Sequence, residues 1–128
     1  MSHYWEALES FSFGDTPEMA DRLLAFVLGG SKRATCWSVA DGQQTHIGKQ
    51  MVVLDGAGKP RGVVETIELE QRRFCDVDLQ FALDEGEDDE TLEDWRRGHR
   101  GYFERNGGFD PEMVLWCERF RLVEVIGE

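Results

Sequence analysis

Residues 50–72, QMVVLDGAGKPRGVVETIELEQR, decide the fold class. Gln50 to Leu54 is a short β-favouring run. Asp55-Gly56-Ala57-Gly58 is a tight turn, because its glycines accept positive φ. Arg61 to Arg72 is the returning strand, with Val63, Ile67 and Leu69 on one parity. Two such runs around a short turn predict a β-hairpin and hence an antiparallel or mixed sheet. Glu65 falls on the apolar parity. An inward carboxylate is costly unless it is paired or neutral. Glu65 is therefore either a ligand-facing acid or a residue carried to water by a bulge or a sheet edge.

Outward from the hairpin, Val114 to Ile126 predicts a long final strand, with Val114, Trp116, Phe120 and Leu122 on one face. Residues 31–39 predict a turn and a short strand. Residues 16–28 predict a helix. Thr16 suits its N-cap, Pro17 its first position, and Met19, Ala20, Leu23, Leu24, Val27 and Leu28 share largely one face. Gly29-Gly30 stops it. A second helix begins at Thr91, whose pairing with Asp94 forms a capping box. It carries Leu92, Trp95, His99, Tyr102 and Phe103 on a stripe and ends near Asn106-Gly107-Gly108. Acids precede this helix and arginines follow, in line with its dipole. No repeat or linker interrupts the order. The chain therefore reads as one α+β domain over residues 1–128, a small mixed or antiparallel β-barrel with flanking helices.

The 128 residues carry a net charge of −12, with 26 acids against 14 lysines and arginines. Binding a long nucleic acid requires cations that displace counterions from phosphate. The overall field here repels a polyanion and favours a neutral or cationic small molecule. No apolar run reaches the ~18–20 residues of a membrane span. Met1 to Glu9 lacks the layout of an export signal. Three widely spaced cysteines without a Cys-x-x-Cys pair predict reduced thiols in a cytoplasmic protein. No cofactor or metal pattern is visible, since His3, His46 and His99 make no ligand pair and the acidic run lacks EF-hand spacing.

Two segments could carry chemistry. The first is Gly29-Gly30-Ser31-Lys32-Arg33-Ala34-Thr35, which follows a helix and enters a strand, the reverse of a phosphate-binding P-loop. Its Lys32 and Thr35 are either a solvated lysine with a β-favouring threonine, or a base and nucleophile brought together by a turn. In the second case a lysine held neutral by burial takes the threonine proton and the oxygen attacks an acyl carbon. The second segment is Asp84-Glu85-Gly86-Glu87-Asp88-Asp89. Glu85 and Glu87 share a parity, and Gly86 allows close backbone approach. The run is either a solvated helix cap or a source of one carboxylate for Lys32. Trp37 and Trp95 are candidates for stacking on a base ring. Cys36 lacks a visible base.

An ordered set of motifs then adds what spacing does not. It comprises Phe13-Gly14-Asp15-Thr16-Pro17, Gly30-Ser31-Lys32-Arg33-Ala34-Thr35, Phe74-Cys75-Asp76-Val77 and Glu85-Gly86-Glu87-Asp88. It continues with Leu92, Trp95-Arg96, His99 and Phe103, and ends with Val114-Leu115-Trp116-Cys117-Glu118-Arg119-Phe120. Together these resemble the ASCH-domain family over most of the chain. The resemblance implies a PUA-like β-barrel, a fold class built around RNA-related work. Some members look like amidohydrolases that remove the acetyl group from N(4)-acetylcytidine with a lysine, a threonine and a glutamate. Lys32 and Thr35 match that pattern, with Glu87 the better match for the glutamate and Glu85 the second. Other members are described as ribonucleases or RNA binders using the same lysine position. This chain is longer than the small amidohydrolases, with an added N-terminal segment and the Trp95-to-Phe103 helix.

Three functions follow as expectations. The first is an amidohydrolase acting on a small acylated nucleoside, with Lys32, Thr35 and Glu87 catalytic and Glu85, Arg33, Trp37 and Glu65 near the substrate. The second is an RNA-binding or RNA-cleaving module, which requires the scattered cations to converge on Lys32. The third is a non-catalytic ligand sensor.

Overall fold

The computed structural model describes residues 3–127. The chain runs β1 (Ser10–Phe11), α1 (Pro17–Leu28), β2 (Ala34–Ser38), β3 (Gln50–Leu54), β4 (Pro60–Arg73), α2 (Leu79–Glu85), α3 (Leu92–Arg105) and β5 (Val114–Val125). The five strands form one sheet in the order β1-β3-β4-β5-β2. β1 runs parallel to β3 and every other neighbouring pair is antiparallel.

The 50–72 hairpin forms as expected from its turn chemistry. Asp55 Oδ1 accepts from the N–H groups of Ala57 and Lys59, and Leu54 pairs with Pro60. Thr16 caps α1 by accepting from the Met19 N–H, with Pro17 at the first helical position. Thr91 caps α3 by accepting from the Asp94 N–H.

The sheet is open, which corrects the expected closed barrel. β1 has two residues and β2 five, and no ladder joins these two edges among the described residues. Such short edges lack the hydrogen-bonding length to close a barrel. The fold is a mixed α+β arrangement, one open five-stranded sheet with three α-helices among the described residues.

α1 lays Leu23, Leu24 and Val27 on Val53, Val64 and Phe120. α2 and α3 bring Phe81, Ala82, Trp95 and Phe103 against Ala34, Leu115 and Cys117. β5 thus serves two cores with opposite faces. This changes its expected inward parity, because Leu115 is fully buried and Val114 is exposed. The β4–β5 register shifts twice, with Val123 the extra residue of β5 opposite Val63/Val64 and Ile67 the extra residue of β4 between Thr66 and Glu68, so the second shift changes the parity of β4. Ile67 stands exposed. Glu65 stands on the face of β4 opposite Val64 and Thr66, register-paired with Gln50 and Arg121, and it accepts hydrogen bonds from both.

α2 was not anticipated. Asp78 caps it through the Phe81 N–H, and Gly86 ends it in the left-handed conformation at φ 60°. The acidic run is accordingly divided. Asp84 and Glu85 are buried at the end of a helix, not solvated in a turn.

Candidate functional site

Lys32 is placed by backbone hydrogen bonds from three directions. The N–H groups of Ser31 and Lys32 donate to the Phe26 carbonyl at the end of α1, 3.1 Å each. The Arg33 N–H donates to Asp84 O at 2.7 Å, and the Phe120 N–H donates to Arg33 O at 3.0 Å. Held this way, Lys32 is 1% exposed. Its ammonium donates to Ala34 O (2.7 Å), Glu85 O (3.3 Å) and Glu87 Oε2 (2.5 Å). Glu85 Oε1 lies 3.5 Å away.

All these neighbours are acceptors. A neutral amine would turn its lone pair on one of them, whereas an ammonium satisfies them with three protons. Burial works against the charge, but Glu87 and Glu85 outweigh it and raise the Lys32 pKa above its ordinary value. The expected neutral lysine base is therefore corrected to a buried cation.

Glu85 is a hub. Its Oε2 accepts from Trp95 Nε1 at 3.0 Å and its Oε1 from His99 Nε2 at 3.2 Å. Burial alone would raise this carboxyl. His99 and Lys32 prevail, and lower it to about 2. His99 faces acceptors on both ring nitrogens, since Nδ1 lies 3.0 Å from Trp95 O. Two acceptors call for the doubly protonated ring. Burial opposes that form, but Glu85 raises the His99 pKa above its ordinary value. Trp95 stacks on His99 with centroids 4.2 Å apart.

Ligand atoms of Cys36, Glu85 and His99 come within 4.8 Å of one another. As a metal set they fit poorly, because both imidazole nitrogens are committed. Burial and the neighbouring Glu85 also push the Cys36 thiol well above its usual range, which keeps it neutral.

Beside this hub lies a cavity of about 490 Å³. Phe11 of β1 and Thr35 and Trp37 of β2 are part of its wall, so both edge strands of the open sheet border it. Glu85 and Glu87 reach it from the end of α2 and the following loop, and Thr66 and Glu118 from β4 and β5. Lys32 does not line the cavity but sits behind the two glutamates. Glu85 is saturated with donors. Glu87 gives one oxygen to Lys32 and keeps a partly exposed side chain. Both acids line the cavity, and Glu87 is the more exposed of the two.

Of the other anticipated residues, Trp37 lines the cavity, its Nε1 donating to Gly42 O at 2.8 Å. Trp95 is wholly buried. Arg33 points away to Asp84 at 3.1 Å, and Glu65 lies on the surface, so neither borders the cavity.

Sequence reasoning missed Glu118 and its threonines. Thr66 Oγ1 donates to Glu118 Oε2 at 2.6 Å, and Thr45 Oγ1 lies 2.7 Å from Thr66 Oγ1. Burial raises the Glu118 carboxyl, while Thr66 and distant Lys32 only partly oppose it.

With this geometry in hand, the comparisons with known proteins decide the family. The model of the ASCH domain matches residues 9–124. The chain belongs to the ASCH-domain family. Two solved structures share its fold at a TM-score of 0.83. Protein EF3133 from Enterococcus faecalis V583, of family model DUF984, is 30% identical, with 91% of this chain and 77% of that one covered. An ASCH domain from Lactobacillus crispatus JV V101 is 28% identical, with 90% and 79% covered. Among curated proteins no sequence matches. Among the described residues, no helix of this ASCH domain is long and apolar enough to cross a membrane.

Proposed function

We propose that this ASCH domain hydrolyses the amide of a small acylated nucleoside of the N(4)-acetylcytidine type. The observation that carries the reading is Glu87, held by Lys32 behind it, at the wall of a cavity that also presents Thr35. A volume of about 490 Å³ suits a small molecule. Phe13, Trp37 and Tyr102 border it and offer faces for a planar ring.

In this reading Glu87 takes a proton from water. The hydroxide adds to the acyl carbon, the carbon–nitrogen bond breaks, and the proton passes from Glu87 to the departing amine. The products are a carboxylic acid and the free exocyclic amine, so water is the only co-reactant. The Lys32 ammonium holds Glu87 in place and lends positive charge to the anionic intermediate. The Thr35 hydroxyl, which has no protein base against it among the described residues, orients the carbonyl. Lys32, Thr35 and Glu87 remain the working residues, but the base is the carboxylate and not the amine.

The RNA reading is less well supported. Arg33, Arg72, Arg73, Arg119 and Arg121 are each engaged with acids. Of the cations bordering the cavity, Lys49 pairs with Glu9 and Arg105 with Asp15, which leaves Arg22, lying over the Phe26 ring, as the one without an acid partner among the described residues. Little free positive charge remains to follow a phosphate backbone.

Release of cytidine from N(4)-acetylcytidine tests the proposal. Turnover by the wild type is expected, with a loss of about 10²–10⁴-fold in Glu87→Gln. No turnover by folded wild type would exclude this substrate.

A further inference from the structure

Among the described residues three acids are buried: Asp84, Glu85 and Glu118. Asp84 is paired with Arg33 and Arg119, and Glu85 with Lys32 and His99. Glu118 is 8% exposed and has no cation within 4.0 Å among the described residues. A carboxyl taken out of water without a counterion is costly. The fold nevertheless holds it in a fixed orientation. Thr66 uses its one proton on Glu118 Oε2, so Thr45 must be the donor in the Thr45–Thr66 hydrogen bond. Glu118 lines the cavity, and its Oε1 has no protein partner among the described residues. It is also register-paired with Thr35, which puts the two side chains on one face of the sheet as direct neighbours.

We propose that Glu118 is the specificity-determining residue of the cavity, accepting through Oε1 an N–H donor of a planar, nitrogen-bearing ligand. The donor is an exocyclic amine or the N–H of its amide. The unpaired carboxyl then receives from the ligand the hydrogen bond that the protein withholds. A ligand of the same shape without that N–H leaves the carboxyl buried and unsatisfied. That difference is the strongest form of discrimination a small polar site can exert. The inference rests on the nucleoside reading above only for its choice of probe. In a bound acyl-nucleoside, Glu118 holds the amide N–H while Glu87 and Thr35 work on the carbonyl beside it.

Calorimetric titration separates the two ideas. The probes are cytidine and the pyrimidin-2-one ribonucleoside, which lacks the exocyclic amine and is otherwise the same. The wild type is expected to bind cytidine about tenfold more tightly. Glu118→Gln keeps the bond from Thr66 but turns an amide N–H₂ on the ligand amine, so the preference is lost or inverted. Thr66→Val leaves the carboxylate untethered and weakens the preference. Thermal melts establish that each variant is folded.

An unchanged preference in folded Glu118→Gln would overturn the assignment, as would equal affinities in the wild type. A selectivity switch without hydrolysis of N(4)-acetylcytidine would uphold Glu118 and defeat the hydrolase. Hydrolysis without the switch would do the reverse. Failure of both nucleosides to bind the wild type would defeat both.

Discussion

The three protons of Lys32 meet two backbone carbonyls and the Glu87 carboxylate, and that balance governs the site. Removing the cation leaves Glu87 without its counterion and Glu85 with His99 alone. Lys32→Met is therefore expected to destabilise the fold by about 3–5 kcal/mol, the usual cost of breaking a buried ion pair, read as a lower urea midpoint. Double replacement with Glu87→Gln should recover part of that loss, because the like charges are then fewer. If the double variant is no more stable than Lys32→Met, the pair is not coupled as described. Glu118 behaves oppositely. Its burial raises the carboxyl, and a raised acid contributes stability below its ordinary value of 4.5 that is lost as pH rises. Glu118→Gln should thus raise the melting midpoint at pH 8, with the gain shrinking toward pH 5. Equal midpoints at pH 8 would refute the strain. The clue to Glu118 was present in the sequence. It stands between Trp116 and Phe120 on an apolar parity, the same sign that drew attention to Glu65. Spacing could not rank the two acids, because both lie in regularly paired stretches and only the packing around the sheet decides which of its faces is enclosed.

At the scale of elements, the join between α2 and the Lys32 segment is closest at Gly86. A Cβ built there would sit 1.9 Å from Ser31 O, and the backbone is left-handed as well. Gly86→Ala is expected to separate the loop from Ser31 and carry Glu87 off Lys32. The measurement is hydrolysis together with melting, both falling well below wild type. A variant with full activity would show that the close approach is dispensable. Helix α1, the 50–72 hairpin and the Thr91 cap of α3 were legible from local rules, since capping and turn residues act on their immediate neighbours. Thr91→Ala should cost about 1 kcal/mol, measured by denaturant. α2 was overlooked although Asp78 and Gly86 bracket it. Its seven residues carry no long periodic stripe, and the acidic run that follows masked its end.

For the whole molecule, charge and pH combine through the buried hub. Glu85 is lowered to about 2, so its contribution is complete above its ordinary 4.5 and is lost as pH falls toward 2. His99 is raised, so its contribution is complete below its ordinary 6.5 and is lost as pH rises through the folded value. Stability is expected to peak between about pH 4.5 and 6.5 and to decline on the alkaline side. That decline should be smaller in His99→Gln. Thermal melts across pH 4–9 check this, and a midpoint independent of pH above 6.5 would contradict it.

The sequence alone determined α1, α3 and the 50–72 hairpin, the acidic charge and, through ordered motifs, the family, with Lys32, Thr35 and Glu87 as its candidate residues. Those conclusions rest on short-range propensity and on the order of residues along the chain. The tertiary structure decided that the sheet stays open, with one cavity bordered by both its edges. It also decided that Lys32 is a cation, that Glu85 is saturated, that Glu87 is the more exposed of the two glutamates, and that Glu118 rather than Glu65 is the inward acid. Each of these depends on which distant groups share a low-dielectric space, and protonation and orientation are set by those neighbours.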